Sequence, residues 1–129
     1  MIDVIVITGT RRSSPAVVAA IKQLVAEIKA EQPVLPVIIH GGAPGVDETA
    51  GQLFGTANCW RIDAPWALFE DLAGPTRNAA IVGAAAECDA RGLRVKAFAF
   101  PGPESRGTWD CVRKLRTAGI EVDVREIRT

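Results

Sequence analysis

The feature that most constrains this chain is Ile2–Thr8, a nearly unbroken β-branched run interrupted only by Asp3. A strand apolar on both faces must be covered on both, which places it inside a parallel sheet with helices above and below. The pattern then repeats. Val37-Ile38-Ile39, Cys59–Ile62 and Leu93–Phe100 read as further strands, and Ile120, Val122 and Val124 alternate with polar residues as a strand with one wet face. Helical patterns separate them. Ser14 caps a helix with Pro15 at its first position, followed by Val17, Val18, Ile21, Leu24, Val25 and Ile28 at helical spacing. A second helix begins near Val46 with Asp47 and Glu48 in its first turn, where the dipole favours acids. A third spans Thr76–Ala90 and stops at Gly92; a fourth carries Trp109, Val112, Leu115 and Ala118 and stops at Gly119. Between the third strand and third helix, Asp63–Pro75 reads as a loop with one short turn around Ala67–Leu72.

The order βαβαβαβαβ predicts a single α/β domain over residues 1–129. Its mainly parallel five-stranded sheet, in strand order 3-2-1-4-5, lies between two helical layers in a Rossmann-like, three-layer arrangement. In such sheets ligands bind beyond the carboxyl ends of the strands, at the topological switch point. Three of the four strand-to-helix turns are rich in glycine: Thr8–Arg12, His40–Gly45 and Pro101–Gly107. Each turn alone reads as a tight corner. Together, beside Thr10, Arg11, Ser105 and Thr108, they predict an anion cradle of backbone N–H groups and helix amino termini.

Acids and bases number 15 each, and this zero balance speaks against a protein that coats nucleic acid by bulk electrostatics. A local basic pocket is compatible with it. No apolar stretch approaches the roughly 20 residues of a membrane span. Met1-Ile2-Asp3-Val4 has an acid where a secretory signal is basic, so a cytoplasmic protein is expected. Cys59, Cys88 and Cys111 form no C-x-x-C pair, and the lone His40 completes no zinc set with them. Reduced thiols, no metal and no cofactor are the expectation.

Several familiar chemistries lack their residues. No G-x-x-x-x-G-K-[ST] phosphate loop, G-x-G-x-x-G dinucleotide fingerprint or G-x-S-x-G nucleophile elbow occurs. A nucleophilic cysteine would want a histidine base, and only His40 is available.

Four motifs occur in order: Thr8-Gly9-Thr10-Arg11; His40-Gly41-Gly42-Ala43-Pro44-Gly45-Val46-Asp47; Ala73-Gly74-Pro75-Thr76-Arg77-Asn78; and Phe100-Pro101-Gly102-Pro103-Glu104-Ser105-Arg106-Gly107-Thr108. Together they resemble the YspA/cpYpsA-related branch of the SLOG superfamily, which also holds the Lonely Guy (LOG) phosphoribohydrolases and the core of DprA. The resemblance covers nearly the whole chain. It implies a Rossmann-like sheet that recognises a nucleotide or nucleotide-derived ligand, either as a sensor or as an enzyme cleaving a base from a nucleoside monophosphate. LOG-like relatives form dimers, which implies a homo-oligomer, and DprA raises single-stranded DNA, against which the neutral charge and scarce aromatics weigh. LOG enzymes use an arginine, which Arg77 resembles, and a glutamate in P-G-G-x-G-T-x-x-E. Counted from Gly107-Thr108, the glutamate position holds Cys111. The neighbouring Asp110 lies about 100° away around a helix. Asp47 or Glu104 could supply a carboxylate instead.

The candidate ligand-binding residues are therefore Gly9, Thr10, Arg11, Gly41, Gly42, Gly45, Asp47, Arg77, Asn78, Gly102, Ser105, Gly107 and Thr108, with Arg77 also the catalytic candidate. Each has a plainer reading. Arg77 near a helix start would welcome an anion, or would pair with Glu70 or Asp71. Asn78 reads a ribose or base edge, or caps its helix. Asp47 bonds a ribose hydroxyl, orients the glycine turn, or caps. Ser105 contacts phosphate, caps, or does both. Arg11 is a cradle residue or a solvated charge. His40 reads as a packed, hydrogen-bonded histidine. Trp66 stacks on a base or covers the core, whereas Trp60 and Trp109 read as core residues.

Overall fold

The computed structural model describes residues 1–64 and 72–128. The first strand, β1 (Val4–Gly9), lies at the centre of a five-stranded sheet of order β3-β2-β1-β4-β5. Its neighbours are β2 (Val37–His40) on one side and β4 (Val95–Phe100) on the other, with β3 (Cys59–Arg61) and β5 (Glu121–Val124) at the edges. Every pairing is parallel. This is the α/β class and the strand order expected of the Rossmann-like alternation of strands and helices.

The two-faced strand is the reason. Ile5 and Ile7 enter one core layer with Val17, Ile21, Leu24 and Ile28 of helix α1 (Pro15–Glu31) and Val46 and Phe54 of α2 (Val46–Phe54). Val4 and Val6 enter the opposite layer with Ile81 and Ala85 of α3 (Ala73–Ala90) and Cys111 and Leu115 of α4 (Arg106–Thr117). Alternate side chains of one strand thus serve two cores. Each such isoleucine contributes roughly 1.5–3 kcal/mol by leaving water. Ser14 caps α1 as its sequence predicts, its hydroxyl accepting from Val17 N at 3.2 Å.

Helix α3 begins at Ala73, three residues before the Thr76 expected from sequence. Gly74 and Pro75 look like a turn, but first-turn N–H groups have no intrahelical acceptor, so proline loses nothing there. Buried Ala73 anchors the extra turn. Arg77 is consequently a full turn inside the helix rather than at its start. Trp60 and Trp109 correct a second expectation: they are 49% and 36% exposed. The proposed turn around Ala67–Leu72 falls mainly outside the described residues, as do Trp66, Glu70 and Asp71.

The chain leaves β1 toward β2 and later returns to β4 on β1's other side, so the switch point lies between β1 and β4. Their last residues, Gly9 and Phe100, are register partners. A Cβ on Gly9 would meet Val46 Cγ2 at 2.6 Å and Phe100 O at 2.8 Å, so this glycine lets α2 close onto the sheet just below the switch point. Among the described residues no helix is long and apolar enough to cross a membrane.

Candidate functional site at the carboxyl edge of the sheet

A cleft of about 1340 Å³ opens at this switch point. Its lining brings together the turns after β1, β2 and β4: Thr8–Arg12, then Ala43 and Asp47, then Pro103–Trp109, with Arg77 and Arg113 from α3 and α4. Of the predicted residues, Gly9, Thr10, Arg11, Asp47, Arg77, Ser105, Gly107 and Thr108 line it. Gly41, Gly42, Gly45, Asn78 and Gly102 are not part of its lining; Gly102 lines an adjoining cavity.

The turn after β2 is closed by its own side chains. Asp47, in the first turn of α2, reaches back so that Oδ2 accepts from Gly41 N at 3.1 Å and Ala43 N at 3.4 Å. Gly42 N donates to His40 Nδ1 at 3.0 Å. His40 is buried, and that burial lowers its pKa, leaving a neutral imidazole suited to accepting this bond. Gly45 adopts φ +81°, and its near approach to the Thr10 carbonyl lets Val46 N donate there at 3.0 Å. The first and second turns are thereby tied together. Three of the amides expected in an anion cradle are therefore already engaged, and this turn is a wall.

Arg77 is the inner cation of the cleft. Only 9% exposed, it donates from a terminal nitrogen to Gly41 O at 3.2 Å and from Nε to Asn78 Oδ1 at 3.1 Å. A Cβ on Gly41 would overlap its guanidinium, so the glycine makes room for the arginine rather than for a ligand. Asn78 is a bracket: its Nδ2 donates to Gly107 O at 3.0 Å and to Asp110 Oδ2 at 3.1 Å, clamping α3 to α4.

The turn after β4 is arranged otherwise. Ser105 does not cap α4; its hydroxyl accepts from Gly102 N at 2.7 Å. The first-turn amides of Arg106, Gly107 and Thr108 have no acceptor within their helix. Among the described residues, and apart from its own helix backbone, nothing lies within 4 Å of where a Gly107 Cβ would be. These amides and the positive end of the helix dipole stand at the cleft wall, an arrangement suited to an anion.

Charge reinforces it. Among the described residues, Arg11, Arg12, Arg77, Arg106 and Arg113 line the cleft with two carboxylates, Asp47 and Glu104. Positive charge is thus concentrated in a chain whose overall balance is zero. Sequence reasoning passed over Arg12, Arg106 and Arg113. Arg106, Trp109 and Arg113 follow the i, i+3, i+7 spacing of one helical stripe, the signal that could have found them.

The carboxylates separate clearly. Asp110 lies outside the cleft lining, with Oδ2 accepting from Lys114 Nζ at 2.8 Å; bonds from Lys114 and Asn78 outweigh its partial burial and lower its pKa. Asp47 is 5% exposed, and burial raises its pKa to about 6 against the opposing pull of Arg77 and the two turn amides. Its Oδ1 is buried without a hydrogen-bond partner among the described residues. Cys111 is fully buried, which pushes its thiol up to about 11 and keeps it protonated. The position that resembles the LOG glutamate therefore offers neither acid nor nucleophile.

Comparison with family models, with curated proteins and with solved structures finds no match for this chain.

Proposed function

We propose that this chain binds a nucleotide or nucleotide-derived, phosphate-bearing ligand in the cleft at the carboxyl edge of its sheet, as a sensor or sequestering domain of the SLOG type. The observation that carries the reading is that five arginines line one cleft at the switch point together with the first turn of α4, whose cap residue Ser105 makes no side-chain capping bond. Arginine forks and helix-start amides both favour phosphate oxygens. Asp47 Oδ1 supplies what a phosphate alone would not need, an acceptor for a ribose hydroxyl. Leaving such a buried oxygen unpaired costs about 1–3 kcal/mol, which a hydroxyl donor would offset. The proposal extends to a cytoplasmic homo-oligomer. Exposed Val37 and Trp60 on adjacent strands give self-association a place, and light scattering of the purified protein tests it.

A second reading has its own observation. A carboxylic acid with pKa about 6 beside Arg77 is poised for proton transfer near neutral pH. In a nucleoside-monophosphate hydrolase, Asp47 would relay a proton between water and the leaving base. Hydroxyl adds to the sugar C1′ as its bond to the base nitrogen breaks.

Calorimetry with a panel of nucleoside monophosphates, followed by chromatography for free base, separates the two. Saturable binding without base release is expected, weakened about tenfold in Arg113→Ala, whose side chain lies on the exposed cleft wall. Base release that disappears in Arg77→Ala would establish the hydrolase instead. No binding of any nucleotide up to millimolar concentration, on the order of the weakest useful affinity, would sink both.

A further inference from the structure

We propose that the base of the nucleotide stacks on Trp109, in a second cavity that adjoins the arginine-lined cleft. This rests on the reading of the cleft as a phosphate site and assigns the other end of its ligand.

The second cavity has a volume of about 400 Å³ and shares two walls with the cleft, Pro103 and Trp109. That volume lies at the lower end of the roughly 300–1,000 Å³ range of small-ligand pockets. A ligand spanning both spaces must pass over these two side chains. The lining of the second cavity also includes Glu126, Ile127 and Arg128, from a segment held beside β4 by bonds from Arg125 N to Ala99 O at 2.7 Å and from Ile127 N to Pro101 O at 2.8 Å. These bonds fix the backbone of residues 125–127 beside the cavity.

Trp109 belongs to the same helical stripe as Arg106 and Arg113, yet it is the apolar member, and more than a third of it meets solvent. An indole is a flat, rigid surface, and this one lines both concavities. Cations on one side of it and an aromatic face at the boundary match a molecule with an anionic end and a planar end. A nucleotide is such a molecule. Glu126 can accept from the N–H groups on a base edge, and Arg128 can donate to its ring nitrogens or carbonyls.

Calorimetry with adenosine monophosphate, ribose 5-phosphate and inorganic phosphate tests the proposal on the full chain and on Trp109→Ala and Trp109→Phe. The wild type should bind adenosine monophosphate at least about tenfold more tightly than ribose 5-phosphate. Trp109→Ala should remove that preference by weakening adenosine monophosphate about tenfold more than ribose 5-phosphate, and Trp109→Phe should retain part of it. In a Trp60→Phe, Trp66→Phe background, adenosine monophosphate should quench the remaining indole emission and ribose 5-phosphate should not. Urea midpoints of both variants show whether they fold, and the phenylalanine variant keeps the test decisive should alanine not be tolerated. Equal wild-type affinity for the two sugar phosphates, or equal weakening of both in Trp109→Ala, overturns the base subsite and leaves the phosphate cleft standing. Failure of all three probes to bind overturns the cleft reading and this one with it.

Discussion

The turns after β2 and β4 are both rich in glycine and both open at the same edge of the sheet, yet they use their amides in opposite ways. After β2, Gly41, Gly42 and Ala43 donate to Asp47 and His40. After β4, among the described residues, Gly102 finds a side-chain acceptor in Ser105, and no side chain caps the first amides of α4. The difference lies in the neighbours. A turn flanked by carboxylate and imidazole acceptors satisfies itself and becomes a wall; one flanked by arginines, which have no acceptor, stays available to an anion. Glycine content alone does not distinguish the two.

The largest expected effect comes from Gly45→Ala, which attacks the wall. The position has φ +81°, and an added Cβ would overlap the Thr10 carbonyl and come within 2.8 Å of Arg11 C. The left-handed conformation costs about 1–2 kcal/mol and forced overpacking about 1–3 kcal/mol. Urea denaturation should show a loss of about 3 kcal/mol. A loss under about 0.5 kcal/mol would mean that the turn after β2 is as open as the one after β4, and the contrast would fail.

Next is the pH dependence of the wall, centred on Asp47. Its pKa in the folded chain is about 6, raised from 3.8, so the folded state holds a proton that the unfolded state has released between those values. Stability associated with Asp47 is therefore full below pH 4, falls as pH rises toward 6, and is flat above it. The shift corresponds to about 3 kcal/mol across that window. Glu27 and Asp110, whose pKa values are lowered, act in the opposite sense, being destabilised by acid. The measurement is thus the difference between wild type and Asp47→Asn in urea at pH 4, 5, 6 and 7. Wild type should lose ground to the variant as pH rises from 4 to 6. Parallel curves would show that Asp47 titrates normally and does not bury its charge in the turn.

The sheet was legible in the sequence because its central strands are apolar on both faces, a pattern that suits a parallel sheet covered by helices. Strand order followed from the Rossmann-like βα alternation, and the cap at Ser14 from local chemistry. The site was legible only in part. Arg77, Asp47 and the Ser105–Thr108 segment stood out by local chemistry and by resemblance, and the structure brings them to one cleft. Whether a given amide is engaged depends on acceptors several residues away, such as Asp47 for Gly41, and composition cannot show that. The arginine cluster joins a turn and two helices, so no linear motif announces it. The exposure of Trp109 was missed for a related reason: its helical spacing fits a core stripe, and only the missing cover above it puts the ring at a cavity. The early start of α3 shows a third cause, where burial of Ala73 overrides the turn signal of Gly74-Pro75.

The smallest effect on stability is expected at Gly107, and it sharpens the contrast most. Unlike Gly45, Gly107 is not among the glycines with positive φ, and among the described residues nothing outside its own helix backbone lies within 4 Å of its Cβ position. Alanine is the better helix former by up to about 1 kcal/mol in a helix interior, and less in a first turn. Gly107→Ala should therefore leave the urea midpoint within the change expected of surface substitutions, about 0.5 kcal/mol. Its methyl group, however, would stand at the cleft wall beside the uncapped amides of α4 and hold a phosphate away from them. Ribose 5-phosphate affinity should fall about tenfold, the scale of one lost charge-assisted hydrogen bond. The pair of glycines then behaves as opposites: one carries stability, the other carries binding. Unchanged affinity in Gly107→Ala would mean that the ligand does not approach the start of α4, and the open turn would be open for no purpose that anion binding explains.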